Sequence, residues 1–224
     1  MTTDLLSWAQ TRPIFTLNEA ERALGQKRAY IRLKLHRLAK RGQLIRIERG
    51  KYTAQDDTMI YASYIETPSF FSYWTALRYY DLTDQQPTRL HVVTRRNRTD
   101  LQGIKFHSTQ SMFGYRRRPY RGFQIFVADK ERLLLDCLSK ATVPIEELQE
   151  LAQEIDEAKT IQYCEELGYS SLAKRAGYLL ERAGKKTGPL LELIDHNYTP
   201  LDLSKPERGE RNRRWKIVVN SDAA

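Results

Sequence analysis

Cysteine is scarce in this chain: the 224 residues hold two, Cys137 and Cys164. Secreted disulfide scaffolds are far denser in cysteine. A zinc site needs paired spacings such as CxxC or HxxxH, and neither occurs. Both thiols lie in apolar, helix-like stretches and read as ordinary buried cysteines. Long apolar runs are also missing, and none approaches the ~20 residues of a membrane span. Met1 to Gln10 carries Asp4 and no basic cluster, unlike a secretory signal or a transit peptide. A cytoplasmic protein without a membrane partner is expected. The chain has no internal repeat and no low-complexity tract.

What is present is a globular composition, 41% hydrophobic, with a net charge of +9. The length suits one large or two small domains. The charge is unevenly placed. Residues 1–57 hold 12 Lys/Arg against 6 Asp/Glu, and residues 58–140 hold 13 against 7. Residues 141–224 hold 12 against 15. A basic excess attracts phosphate backbones through counterion release, so the first two thirds are the place to look for a polyanion site.

Thr2 to Thr11 reads as a short helix that Pro13 stops. Thr16 and Glu19 have the spacing of a capping box, with Phe15 and Ala20 placed as a hydrophobic staple. The helix they start ends at Gly25. A longer helix follows from Lys27 to Gly42, with Ile31, Leu35 and Leu38 as its core stripe. Leu44 to Ile47 is a strand, Glu48-Arg49-Gly50-Lys51 a turn, and Tyr52-Thr53 a return strand. Helix, helix, tight turn, basic helix and basic hairpin, in that order, predict a winged helix–turn–helix over residues 1–57, the basic helix being the second of the helix–turn–helix. In that arrangement the second helix enters the major groove by its N-terminal end. Gln26, Lys27, Arg28 and Tyr30 are therefore the candidates for base edges. Lys34 and Arg37 are candidates for phosphates, and Arg46, Arg49 and Lys51 for the wing. The expected partner is double-stranded DNA.

Residues 58–224 predict a mixed α/β domain with a helical final third, making the chain α+β. Thr58–Glu66 reads as a helix, and Thr67-Pro68-Ser69 as the start of another. Leu90–Thr94, Ile104–Phe106 and Phe123–Ala128 read as strands, and Asp129 as the cap of a helix over 130–139. Glu146–Glu157, Tyr163–Leu167 and Ser170–Ala183 read as helices. Lys205–Asn212 is expected as a polar loop and Trp215–Val219 as a closing strand. Two basic loops stand out: Arg95, Arg96 and Arg98, and Arg116, Arg117 and Arg118 with Arg121. They are either solvated loops or a second surface for an anionic partner.

Signals of catalysis are poor. The stretch Gly184-Lys185-Lys186-Thr187-Gly188 lacks the upstream glycine spacing of a phosphate-binding loop. Asp129 and Glu131 follow a strand, where a metal-dependent nuclease can place carboxylates, but Asp129 suits a helix cap. His91 and His107 read as strand residues. No catalytic residue, metal or cofactor is expected.

Several segments taken together resemble one family. The wing ending Arg49-Gly50-Lys51-Tyr52 is followed by Pro68-Ser69-Phe70-Phe71-Ser72-Tyr73-Trp74-Thr75-Ala76-Leu77, and then by Tyr80-Asp81-Leu82-Thr83. Next come Phe113-Gly114-Tyr115 and Ala128-Asp129-Lys130-Glu131-Arg132-Leu133-Leu134-Leu135-Asp136. Arg175-Ala176-Gly177-Tyr178-Leu179-Leu180 and Asn212-Arg213-Arg214-Trp215-Lys216 close the series. Their order and spacing resemble the AbiEi antitoxins of type IV toxin–antitoxin systems. The resemblance implies a first domain that represses its own operon at promoter inverted repeats. It also implies a second domain, 58–224, that counters a cognate nucleotidyltransferase-type toxin, and no enzymatic activity. It implies structural roles for Ser69, Ala76 and Leu77 in packing, and for Glu131 and Asp136 in a polar network. The usual E-R-T-x-x-D stretch reads E-R-L-L-L-D here. A stand-alone regulator with a ligand-sensing or dimerising second domain is the first alternative. A nuclease using Asp129 and Glu131 is the other.

Overall fold

The computed structural model describes residues 4–221. The first helix, α1 (Leu5–Gln10), is capped by Asp4, whose carboxylate accepts the Leu6 N–H. Thr2 and Thr3, expected within it, lie outside the described residues. A short strand, β1 (Phe15–Thr16), leads into α2 (Leu17–Leu24). Thr16 and Glu19 form the capping box in full, and Gly25 ends α2 in the left-handed conformation at φ 62°. Helix α3 (Arg28–Lys40) follows, with Lys27 as its cap residue. Strands β2 (Ile45–Glu48) and β3 (Lys51–Thr53) form a hairpin, and β1 pairs with β3 to give the sheet order β1-β3-β2.

These elements share one apolar cluster of Leu5, Ala9, Phe15, Ala20, Ile31, Leu35 and Leu44. Trp8 packs edge-on against Phe15 at 5.1 Å. Each large side chain so buried stabilises the fold by about 1.5–3 kcal/mol. A second, larger cluster begins at Tyr61 and extends to Ile217. Ile14 and Ile47, from the first set of elements, pack against it.

The larger cluster is built around a five-stranded mixed sheet. Helix α4 (Thr58–Tyr61) and a 3₁₀ turn lead to β4 (Ser69–Phe71), and α5 (Tyr73–Tyr79) follows it. Strands β5 (Leu90–Thr94), β6 (Ile104–Ser108), β7 (Tyr115–Tyr120) and β8 (Phe123–Ala128) complete the sheet, in the order β6-β5-β4-β8-β7. Helix α6 (Lys130–Ser139) buries eight of its ten residues. A helix buried nearly all round belongs at the centre of a domain, and α6 touches α5, α7 (Gln149–Glu154), α8 (Glu157–Leu167) and α9 (Ser170–Arg182). After a 3₁₀ segment over Gly188–Leu193, strands β9 (Thr199–Pro200), β10 (Glu210–Asn212) and β11 (Ile217–Val219) make a small sheet. Trp215, fully buried, donates its indole N–H to Glu181 of α9 at 2.6 Å.

The α+β class holds, with local corrections. Residues 67–71 do not start a helix. Ser69–Phe71 is the central strand, because a short apolar run buried on both faces fits a strand as well as a helix. The expected helix over 58–66 is one turn of α-helix followed by a 3₁₀ turn. The stretch at 115–120 is an edge strand rather than a loop, and Pro119 is tolerated where no ladder partner needs its N–H. The acidic helix over 146–157 breaks at Ile155, and Asp156 caps a new helix there. The closing strand expected over 215–219 is present as Ile217–Val219, and Glu210–Asn212, within the expected polar loop, is a strand paired with it.

Candidate nucleic-acid interface

Helix α3 buries Ile31 and Leu35, half-buries Lys34, Leu38 and Ala39, and leaves its other residues exposed. Lys27, Arg28, Arg32, Arg37, Lys40 and Arg41 are exposed, and Lys34 is half-buried. No acidic residue occupies the first turn, and no side chain caps it. Cations at a helix N-terminus oppose the helix dipole by about 0.3–1 kcal/mol each. Lys27 and Arg28 are thus poorly placed for the helix itself and well placed for an external anion, which helix N-terminal N–H groups also bind. Arg37 and Lys40 lie in the last turn, where they complement the dipole.

The sequence candidates divide by their partners. Arg28 donates to Asn18 Oδ1 at 2.5 Å and to Glu21 Oε2 at 3.0 Å, which ties it back to α2. Lys34 Nζ sits 5.0 Å over the Tyr30 ring. Gln26 is half-buried, and its Oε1 lacks a hydrogen-bond partner. Lys27, Arg32 and Arg37 form no ion pair among the described residues. Three of the exposed large apolar side chains lie on this side of the molecule: Tyr30 (48%), Leu33 (45%) and Ile45 (42%). Leu33 and Ile45 were overlooked in the sequence. Leu33 falls off the Ile31–Leu35–Leu38 stripe, and that offset was the available signal.

The hairpin presents Arg46 and Arg49, both exposed, with Arg49 at the turn beside Gly50 (φ 83°). Lys51 faces inward instead. It pairs with Glu48 at 2.8 Å and donates to the Ile65 carbonyl. Glu48 also receives Arg98 at 2.6 Å, and Arg98 reaches Glu66 at 3.3 Å. The Arg98 side chain is only 16% exposed and lies 4.6 Å over the Phe106 ring. Burial raises the Glu48 pKa, but hydrogen bonds from Lys51 and Arg98 outweigh it and hold the carboxyl below its ordinary value. Lys51 and Arg98 therefore spend their charge inside the chain, clasping the hairpin to the larger sheet. Sequence reading, blind to the partners, had grouped them with the free cations.

The two arginine runs do not converge. β5 and β7 run antiparallel to β4 and β8 respectively, so the loop after β5 and the turn after β7 share one end of the sheet. Arg95 and Arg96 are exposed in the loop after β5. Arg116 pairs with Val127 toward the opposite end of β7. Arg117 lies 5.6 Å over Phe126, and Arg118 lies near Tyr80 on the other face. Arg121 at the turn pairs with Asp57 at 2.9 Å.

The acidic and histidine candidates have internal partners. Asp129 caps α6 through the Arg132 N–H, and its other oxygen accepts from Tyr163 and Lys159. Glu131 accepts from Lys159 at 2.7 Å and from the Asp156 N–H at 2.9 Å. All four carboxylate oxygens hold donors, so the pair joins α6 to α8. Asp136 receives Arg132 and Ser72. His91 and His107, on β5 and β6, face each other at 3.0 Å. Burial lowers their pKa values, with further lowering at His107 from His91, to about 4 and about 3. Among the described residues no group of three or more His, Cys, Asp or Glu could hold a metal. No described helix is long and apolar enough to cross a membrane.

An exposed cationic helix set beside a cationic hairpin is a surface that draws polyanions, and it defines the class of module these elements form. Residues 4–55, which run from α1 through β3, match the family of transcriptional regulators described as AbiEi antitoxin. Over that segment the chain is similar to this family; the match stops at residue 55. No curated protein matches the chain.

Proposed function

We propose that this protein is a DNA-binding autorepressor and antitoxin. Residues 1–57 form its winged helix–turn–helix, and residues 58–224 the domain that counters a nucleotidyltransferase-type toxin. The observation that carries the DNA-binding half is the unpaired cationic face of α3 beside Arg46 and Arg49, inside the segment matching a transcriptional-regulator family. Lys27, Gln26 and Tyr30 at the start of α3 meet base edges; Arg32, Arg37, Arg46 and Arg49 meet phosphates. Arg28 reaches a base only by exchanging Glu21 and Asn18 for it. Lys51 and Arg98 are excluded from the contact set and hold the wing in place. Asp129 and Glu131 serve as a structural joint, so the reading is of a non-enzyme.

A reporter driven by the chain's own promoter tests the reading. Wild-type protein represses it, and Arg37→Ala combined with Arg49→Ala relieves repression. Equal repression by both proteins would refute the groove assignment. Co-expression with the neighbouring gene product tests the antitoxin half: growth is rescued by the full chain if that product is its toxin. A neighbour without toxicity favours the stand-alone regulator.

A further inference from the structure

Arg95 and Arg96, in the loop that follows β5, have no role so far, yet Arg98 of the same loop is anchored to the hairpin. Arg98 grips Glu48 of the hairpin at 2.6 Å, one residue from Arg49 at the turn. Arg95 and Arg96 precede Arg98 by three and two residues, so their Cα atoms lie within about 11 Å of it. Both are exposed, and neither forms an ion pair among the described residues. The loop is held in shape from several sides. Thr94 Oγ1 donates to the Arg96 carbonyl at 2.8 Å, and Asp100 accepts the Phe106 N–H at 2.9 Å. Arg98 is fixed by two carboxylates and an aromatic ring.

We propose that Arg95 and Arg96 extend the wing's contact surface, so that the second part of the chain grips the phosphate backbone of the same DNA duplex beside Arg49. This rests on the DNA-binding reading. An ordered loop binds at lower entropic cost than a flexible one, and the clasp supplies that order. Two unpaired like charges on adjacent residues raise the local positive potential, which draws phosphates. The buried arginine of the loop thus positions the two exposed ones, which explains why a single arginine run contains both kinds.

The test uses the full chain and a labelled mixed-sequence duplex of about 30 base pairs, roughly three helical turns. Binding is measured by fluorescence anisotropy between about 50 and 200 mM salt. Arg95→Ala with Arg96→Ala is expected to weaken binding roughly tenfold and to flatten the log–log salt slope by about 1.8, for two phosphate contacts. Arg95→Lys with Arg96→Lys, which keeps the charge, is expected to restore most of the slope. Arg37→Ala with Arg49→Ala is the control for the parent reading. If the control weakens binding while the alanine loop variant matches wild type in affinity and slope, the extension is overturned and the DNA-binding reading stands. If the lysine variant behaves as the alanine variant does, charge is not the loop's contribution and the proposal also fails. If wild-type protein does not bind duplex at all, both readings fall together.

Discussion

His91 and His107 show how far a single pair of side chains constrains behaviour. Folding holds both rings neutral, with pKa values near 4 and 3 against an ordinary 6.5. Above 6.5 neither the folded nor the unfolded chain protonates them, and their stabilising effect is complete. As pH falls below that value, the unfolded chain binds protons that the folded chain refuses, so stability declines until the folded values are passed. Chemical denaturation from pH 7 to 4.5 is therefore expected to show a loss that His91→Asn with His107→Gln removes, at most about 2.7 kcal/mol per pH unit for two groups. Parallel profiles for variant and wild type would show that the rings titrate normally in the fold. At the proposed DNA interface, single cations are testable as phosphate partners. Arg49→Ala is expected to flatten the salt slope of duplex binding by about 0.9, whereas Lys51→Ala, whose charge is spent on Glu48 and Ile65, changes stability more than slope. Reversed effects in the anisotropy titration would exchange the two assignments.

Among elements, α9 and β11 depend on one close contact. A Cβ on Gly177 would stand 2.1 Å from the Trp215 ring. Gly177→Ala must displace a fully buried indole, and overpacking of this kind costs about 1–3 kcal/mol. A lowered thermal midpoint checks it, and an unchanged one would mean that α9 and Trp215 separate easily. Element by element, legibility in the sequence followed how local each signal is. The capping box of α2, the Gly25 stop, the Asp129 cap and the hairpin turn rest on residues three or four apart and were readable. Ser69–Phe71 was not, since its strand character comes from β5 and β8 on either side. Arg116 to Tyr120 looked like a loop for the same reason: only pairing with β8 makes it a strand. The candidate site divides in the same way. The exposed face of α3 follows from its periodicity, whereas the contacts of Lys51 with Ile65 and of Arg98 with Glu48 span 14 and 50 residues and leave no local trace.

At the scale of the whole molecule, the two apolar clusters are joined by contacts with charge. Arg98 bridges Glu48 and Glu66, Lys51 reaches Ile65, and Tyr120 and Arg121 both bind Asp57. Ile14 and Ile47 add apolar contact across the same boundary. Removing one partner of a largely buried pair leaves carboxylates unsatisfied, at about 1–3 kcal/mol. Arg98→Ala is expected to lower the unfolding free energy by that amount; Glu48 also pairs with Lys51, so the Arg98→Ala, Glu48→Ala double variant is expected to lose less than the sum of the single losses but more than Arg98→Ala alone. Additive losses in the double-mutant cycle would show that the clasp carries no coupling. Its presence gives the hairpin a fixed position relative to the second half of the chain.

The central claim is that α3 and its hairpin hold duplex DNA. Footprinting the full chain on the promoter of its own gene tests it most directly. The account predicts a protected stretch over inverted repeats, lost in the Arg37→Ala, Arg49→Ala variant while that variant remains folded. Uniform cleavage across the promoter at concentrations where wild-type protein is folded would contradict it.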